Sequence, residues 1–292
     1  MPPAHLAAAL GVVLIWGVNF VVIQVGLREL PPLLLASLRF LGAALPAVFF
    51  IRRPAVPFAR IATYGLVMFS LQFALLFGGM YLGMPAGLAS LALQVHVFVT
   101  IALAALVTGE RPTRTQLAGA VLAFGGIVVI ASQSAGEATA IGLALVLLAA
   151  CAWGMGNLLS KRIGPVDPLA LVVWGSAVAF GPLFVLSLLV EGPTRVLHSL
   201  ANVSLAGLGS VAYLVYPTTL LGFGLWSWLL KRHPAATVAP FTLLVPVVGF
   251  SSAALLLGEP LQPWKLLAAA LVLAGLLVNQ WASLRSWWRP AR

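Results

Sequence analysis

Acidic side chains are scarce in this chain of 292 residues, with six aspartates and glutamates against 16 lysines and arginines. Charged residues of both signs make up only 8% and hydrophobic residues 62%, where a soluble domain carries about a quarter charged. The composition is that of a protein dissolved in a bilayer. One aspartate, Asp167, excludes an aspartyl dyad, and neither HExxH nor GxSxG occurs. The four histidines, at 5, 96, 198 and 233, do not form a metal site by local spacing. Cys151 is the single cysteine, so disulfides and cysteine metal sites within one chain are excluded. No enzyme, metal or cofactor is expected.

What the chain does have is long apolar runs. A membrane span needs about 20 mostly apolar residues, because backbone amides in hydrocarbon must be bonded within their own helix. Ten stretches qualify: 6–26, 33–51, 61–82, 86–107, 115–132, 140–158, 169–190, 203–230, 236–257 and 264–282. The first follows "MPPAH" without a charged leader and carries Trp16 and Asn19, so it reads as a span and not as a cleaved signal. All six acids, Glu29, Glu110, Glu137, Asp167, Glu191 and Glu259, fall in loops or at span ends. Alternate loops and the tail hold Arg52, Arg53, Arg60, Arg111, Arg114, Lys161, Arg162, Lys231, Arg232, Arg285, Arg289 and Arg292. The intervening loops hold Arg28, Arg195 and Lys265, with Arg39 inside the second stretch. The positive-inside rule then places both termini in the cytoplasm. Basic residues scattered over so many loops do not make a nucleic-acid face.

The chain repeats itself. An offset of 149 relates Gly109-Glu110 to Gly258-Glu259, Tyr64 to Tyr213, Pro85-Ala86 to Pro234-Ala235, Leu117 to Leu266 and Gly126 to Gly275. Near the start of each half the offset shrinks to 137 and aligns Trp16-Gly17 with Trp153-Gly154. The halves are 1–135 and 136–292, with five spans each. Five is odd, so the second half enters the membrane from the other side. The expected fold is all-α and integral to the membrane, with ten transmembrane helices as two inverted five-helix repeats around a central cavity, a transporter arrangement.

Three segments resemble a known family: "LIWGVNFVVIQVGL" in the first stretch, "LASLRFLGAALPAV" in the second, and the "GE" after stretches four and nine. They are similar to the EamA-type branch of the drug/metabolite transporter superfamily, nearest to its bacterial exporters of aromatic amino acids. The resemblance covers nearly the whole chain. It implies a bacterial inner-membrane exporter, working by alternating access, of amino acids (aromatic and other bulky apolar ones included) and some toxic organic compounds. The expected partners are a small-molecule substrate and membrane lipid, with no nucleic acid and the chain a monomer or weak homodimer. Arg39 departs from the repeat, since its counterpart falls near Gly175.

Positions i, i+3, i+4 and i+7 share a helix face. Trp16, Asn19, Phe20 and Ile23 make one stripe, and Trp153, Gly156, Asn157 and Ser160 the repeat-related one. Both asparagines either line a substrate site or bond a neighbouring helix, a contact worth about 0.6 kcal/mol. Tyr213, Tyr216 and Pro217 share a face of the eighth stretch, with Gly222 and Gly224 beyond. Pro217 removes a backbone donor and lets the helix open, so these three positions are candidate hinges. The tyrosines either wall a cavity or belong to an interfacial belt. Gln94 and His96 lie about 200° apart around a helix, so only one can face the pore, and His96 reads either as a functional group or as a neutral structural one. Arg39 either snorkels to the interface or binds a substrate carboxylate in bidentate fashion.

No mid-membrane carboxylate is present to hold a cation, which favours a zwitterionic or neutral substrate over a quaternary cation. A different small-metabolite carrier or a channel remains the alternative. Glu110 and Glu259 read as structural, each opening the turn before a helix whose dipole suits a carboxylate. The small residues Gly119, Ala123, Gly125-Gly126, Ala268 to Ala270 and Ala274-Gly275 read as packing surface, so stretches five and ten are expected outside a cavity lined by one, three, four, six, eight and nine.

Overall fold

The computed structural model describes residues 1–133 and 138–281; Glu137, Arg285, Arg289 and Arg292 lie outside them. Every regular element among the described residues is helical. Among the described residues nine helices are long and apolar enough to cross a membrane: α1 (Pro3–Leu27), α2 (Pro32–Phe49), α3 (Phe58–Tyr81), α4 (Ala86–Val107), α5 (Arg114–Ser132), α6 (Ala140–Ile163), α7 (Pro168–Val190), α8 (Leu205–Arg232) and α9 (Ala239–Leu257). A further apolar helix, α10 (Pro263–Asn279), has 17 residues, and the end expected for it at 282 lies outside the described residues. The chain is a multi-pass membrane protein.

Helix ends follow residue chemistry. Proline opens α1, α2, α7 and α10, where its fixed φ suits the first turn and its missing N–H is not needed. Thr113 closes a capping box on α5: its hydroxyl accepts from Gln116 N at 3.2 Å, and Gln116 Oε1 accepts from Thr113 N at 2.8 Å. The helices before the two Gly-Glu pairs both stop on a left-handed residue, Gly109 at φ 72° and Gly258 at φ 70°, a conformation that strains any residue with a Cβ.

Contacts between loops sort them to two ends of the bundle. At one end Lys161 pairs with Glu110, Lys231 Nζ pairs with Asp167 Oδ2 at 2.7 Å, and His5 Nδ1 lies 2.6 Å from His233 Nε2. At the other, three glutamates each close the N-terminus of a helix remote in sequence. Glu191 accepts from Leu33 and Leu34 N at 2.7 and 3.1 Å. Glu259 accepts from Ala86 and Gly87 N at 2.8 and 3.2 Å. Glu29 accepts from Ser204 N at 2.8 Å and from its hydroxyl. Glu259 therefore serves the dipole of α4 and not that of α10, which follows it in sequence. A carboxylate's partner is the N-terminus nearest in space, which local sequence does not give.

Packing divides the helices. α1 lies against α8 and α9, α6 against α3 and α4, α2 against α7, and α5 against α10. The α5–α10 contact is set by glycine: a Cβ built on Gly119 would stand 2.5 Å from Gly275 O, one on Gly275 would stand 2.5 Å from Gly119 O, and one on Gly126 would stand 2.8 Å from Ala268 O. Backbones this close exclude lipid and water from the seam.

Among the described residues five spans depart from α geometry, three in mid-course and two at an end, and of these α2 closes with a 3₁₀ turn over Ala47–Phe49. α3 carries a π segment over Leu66–Leu71 and α8 another over Leu214–Leu221, which includes Pro217. α4 tightens to 3₁₀ over Leu93–Val95, and α9 begins with a 3₁₀ turn over Ala239–Leu243. Thr219 Oγ1 donates to Leu214 O at 2.8 Å and so satisfies a carbonyl loosened by the π segment of α8.

Gly275→Val should overpack the α5–α10 seam and lower stability by about 1–3 kcal/mol. Gly125→Ala, where a Cβ meets nothing within 4 Å, should leave thermal melting in detergent unchanged or slightly raised; equal melting of the two variants would contradict this packing. The hydroxyl and amide of Ser204 hold the Glu29 carboxyl below its ordinary value. Its stabilisation is complete above the ordinary carboxylate range and is lost as pH falls through the lowered value. The difference in melting temperature between wild type and Glu29→Gln should therefore be present at neutral pH and close on acidification.

Candidate substrate-binding site

A polar cleft enters from the end that holds Lys161 and Glu110. It encloses about 490 Å³ and is lined by Thr100, Ile101 and Ala104 of α4, Asn157, Leu158 and Lys161 of α6, and the turn into α5. That volume lies within the ordinary range for small-molecule sites, about 300–1,000 Å³. At its inner wall Asn157 Nδ2 donates to Thr100 Oγ1 at 3.1 Å, and Thr100 Oγ1 donates to His96 O at 2.7 Å. His96 stacks on Trp153, with ring centroids 4.3 Å apart and planes within 6°. The two helices meet closely because Gly154 has no side chain; a Cβ there would stand 2.7 Å from Val99 Cγ1. His96 is the first residue after the 3₁₀ segment of α4, so the break sets its position. Gln94 lies inside that segment, half-buried, and is not part of this wall.

A second polar group joins α1, α2, α3 and α8. Trp16 Nε1 donates to Thr218 O at 3.1 Å, taking up a carbonyl of the π segment, and its ring lies 5.3 Å from Phe223 and 5.4 Å from Trp226. Arg39 is 2% exposed. It does not snorkel: Nε donates to Thr219 Oγ1 at 3.2 Å, and the guanidinium lies 4.4 Å from the centroid of the Phe73 ring. Asn19 and Phe20 are buried beside Trp16 in the chain.

Other expected residues fall apart from these groups. Tyr213 donates to Ile15 O at 3.1 Å, committing its hydroxyl to the α1 backbone. Tyr216 is 57% exposed, on the opposite side of the π turn from the buried Thr218 and Thr219. Pro217 sits inside the π segment. Gly222 makes room for Trp16, whose Nε1 would lie 2.6 Å from a Cβ there, whereas a Cβ on Gly224 would meet nothing within 4 Å. Sequence reasoning passed over Gln72, Phe73, Thr218 and Thr219. Threonines and phenylalanines are too common in membrane helices to stand out, and no proline announces the π segment of α3.

Several of these groups are incompletely bonded. Asn19 Oδ1, Arg39 Nη1, both amide atoms of Gln72, His96 Nδ1 and Thr218 Oγ1 are buried without a hydrogen-bond partner. A buried orphan costs about 1–3 kcal/mol, so each of these atoms is one whose bonding a ligand or water would complete.

Comparison with known proteins assigns this architecture. The model of the EamA-like transporter family matches twice, over residues 4–132 and 140–280. A probable amino-acid metabolite efflux pump of Salmonella typhimurium is 47% identical over 277 residues, covering 93% of each chain. A protein of the same description from Escherichia coli is 45% identical, also over 93% of each chain. A solved crystal structure superposes with a TM-score of 0.65 over 98% of this chain and 99% of its own, at 20% identity, and so shares the fold. The chain belongs to the EamA-like transporter family.

Proposed function

We propose that the protein exports amino acids with bulky apolar or aromatic side chains, and related small metabolites, by alternating access. The observation that carries this reading is the cleft lined by Asn157 and Thr100, with the stacked His96–Trp153 pair one helical turn beyond them. Rings there and at Trp16 offer apolar surface, and a stacked ring adds about 0.5–1.5 kcal/mol beyond its area burial. Asn157, Asn19 and Arg39 offer the polar contacts of a zwitterion. The two relatives above, described as amino-acid metabolite efflux pumps, support the substrate class.

The architecture we propose is two inverted five-helix repeats, 1–135 and 136–292, that make ten spans. Support comes from the family match in both halves, from π segments in α3 and α8 and 3₁₀ segments in α4 and α9, and from the reciprocal approach of Gly119 and Gly275. α1 then packs with α8 and α9 as one moving bundle and α6 with α3 and α4 as its counterpart, with α5, α10, α2 and α7 as the frame. We place the protein in a bacterial inner membrane as a monomer or weak homodimer, its termini and the mouth of the cleft in the cytoplasm. The cleft then faces the substrate pool, as an exporter's resting state requires. Permanent cations fit less well, because the carboxylate that lines the cleft, Glu110, is paired with Lys161 at its mouth.

Two outcomes are expected. In proteoliposomes holding the protein, Asn157→Ala and Trp153→Ala should each reduce counter-flow of phenylalanine and methionine by about tenfold, the effect of losing one buried polar or aromatic contact; wild-type rates for both variants would place the site elsewhere. In a Cys151→Ser background, a cysteine at Leu158 should react with a water-soluble maleimide from the cytoplasmic side only, and one at Val272, buried in α10, should not. Equal labelling of the two positions would remove the cleft from the transport path.

A further inference from the structure

The Arg39 guanidinium lies outside the cleft between α4 and α6. It is buried, its Nη1 has no partner, and its one side-chain hydrogen bond goes to the neutral hydroxyl of Thr219. The faces of Phe73 and Phe40, 4.4 and 5.5 Å away, hold the planar group without neutralising it. Arginine does not shed its proton, and an unpaired cation at membrane depth is strongly unfavourable. Among the described residues every carboxylate is engaged at the ends of the bundle: Glu29 at Ser204, Glu191 at Leu33, Glu259 at Ala86, Glu110 at Lys161 and Asp167 at Lys231. The negative charge that Arg39 requires must therefore come from a bound molecule. Unpaired atoms stand next to its contacts: Gln72 precedes Phe73 and has both amide atoms buried and free, and Thr218, with a free hydroxyl, precedes Thr219.

Resting on the exporter reading above, we infer that Arg39 binds the substrate's carboxylate and that the protein also transports apolar monocarboxylates lacking an ammonium group, namely N-acylated amino acids and 2-oxo acids. A carboxylate finds a guanidinium and neutral donors, whereas an ammonium finds no acid among the described residues of the interior. Loss of the carboxylate should abolish recognition, and loss of the ammonium should not.

The test is counter-flow through the full chain in proteoliposomes, against protein-free liposomes, with four compounds that share one side chain: methionine, N-acetylmethionine, 4-methylthio-2-oxobutanoate and methioninamide. The three acids are expected to exchange within about tenfold of one another and the amide to be slower by about tenfold or more, the consequence of losing a charge-assisted hydrogen bond. Arg39→Lys should keep that order at reduced rates. Arg39→Gln should bring the ratio of acid to amide towards one. Replacement of chloride by sulfate should change nothing. The inference is overturned, with the exporter reading intact, if methionine exchanges while N-acetylmethionine and the oxo acid do not, or if methioninamide keeps pace with methionine. It is overturned as well if methionine exchange stops without chloride, since a halide would then answer Arg39. If no compound moves, methionine included, both readings fail.

Discussion

A backbone in hydrocarbon has nothing to bond but itself, so a span can leave α geometry only where protein takes the place of lipid. That constraint orders the molecule. Breaks occur in α3, α4, α8 and α9. The groups that take up the loosened carbonyls are the polar side chains of the interior, with Trp16 reaching Thr218 O, Thr219 reaching Leu214 O and Thr100 reaching His96 O. α5 and α10, which remain regular, carry glycines against each other's carbonyls. Irregular backbone and polar interior are therefore two aspects of one feature.

Charge follows the same logic. A carboxylate inside the bundle would need a partner there. The described acids instead lie at helix ends, where backbone N–H groups, the helix dipole or a lysine stabilise them. Glu29, Glu191 and Glu259 tie helix N-termini across one end of the bundle, each to a helix remote in sequence. Lysine–carboxylate pairs tie the other end and are open to solvent. Exposed ion pairs are worth about 0–1 kcal/mol, whereas charge-assisted bonds to backbone amides are stronger. The end with the cleft is thus the more weakly closed of the two, as a path with one open mouth requires.

Much of this was legible in the chain. Apolar run length fixed the helices to within a few residues, because the bilayer sets that length and little else competes; α6 runs five residues beyond its expected end, through Lys161 and Arg162, since charged side chains can extend a helix past the hydrocarbon. Pro217 announced the opening of α8, and the small residues of stretches five and ten announced their packing. Asn157 stands in the cleft wall, and Trp153, one turn away on the same stripe, stacks on His96. The missed features depend on neighbours in space. The π segment of α3 has no proline to mark it, the 3₁₀ turn of α4 has neither proline nor glycine, and Glu259 serves a helix that begins at Ala86. Arg39 was visible as an oddity, but only the fold shows that it is walled in by Phe73, Phe40 and Thr219.

The central claim is that the interrupted helices enclose the path of the substrate. An experimental structure of the full protein in nanodiscs, determined with phenylalanine bound, tests it most directly. The account predicts ligand density between α3, α4, α6 and α8, in contact with Trp153 and Asn157 or with Arg39. Density confined to the α5–α10 face or to the lipid-facing surface would contradict it.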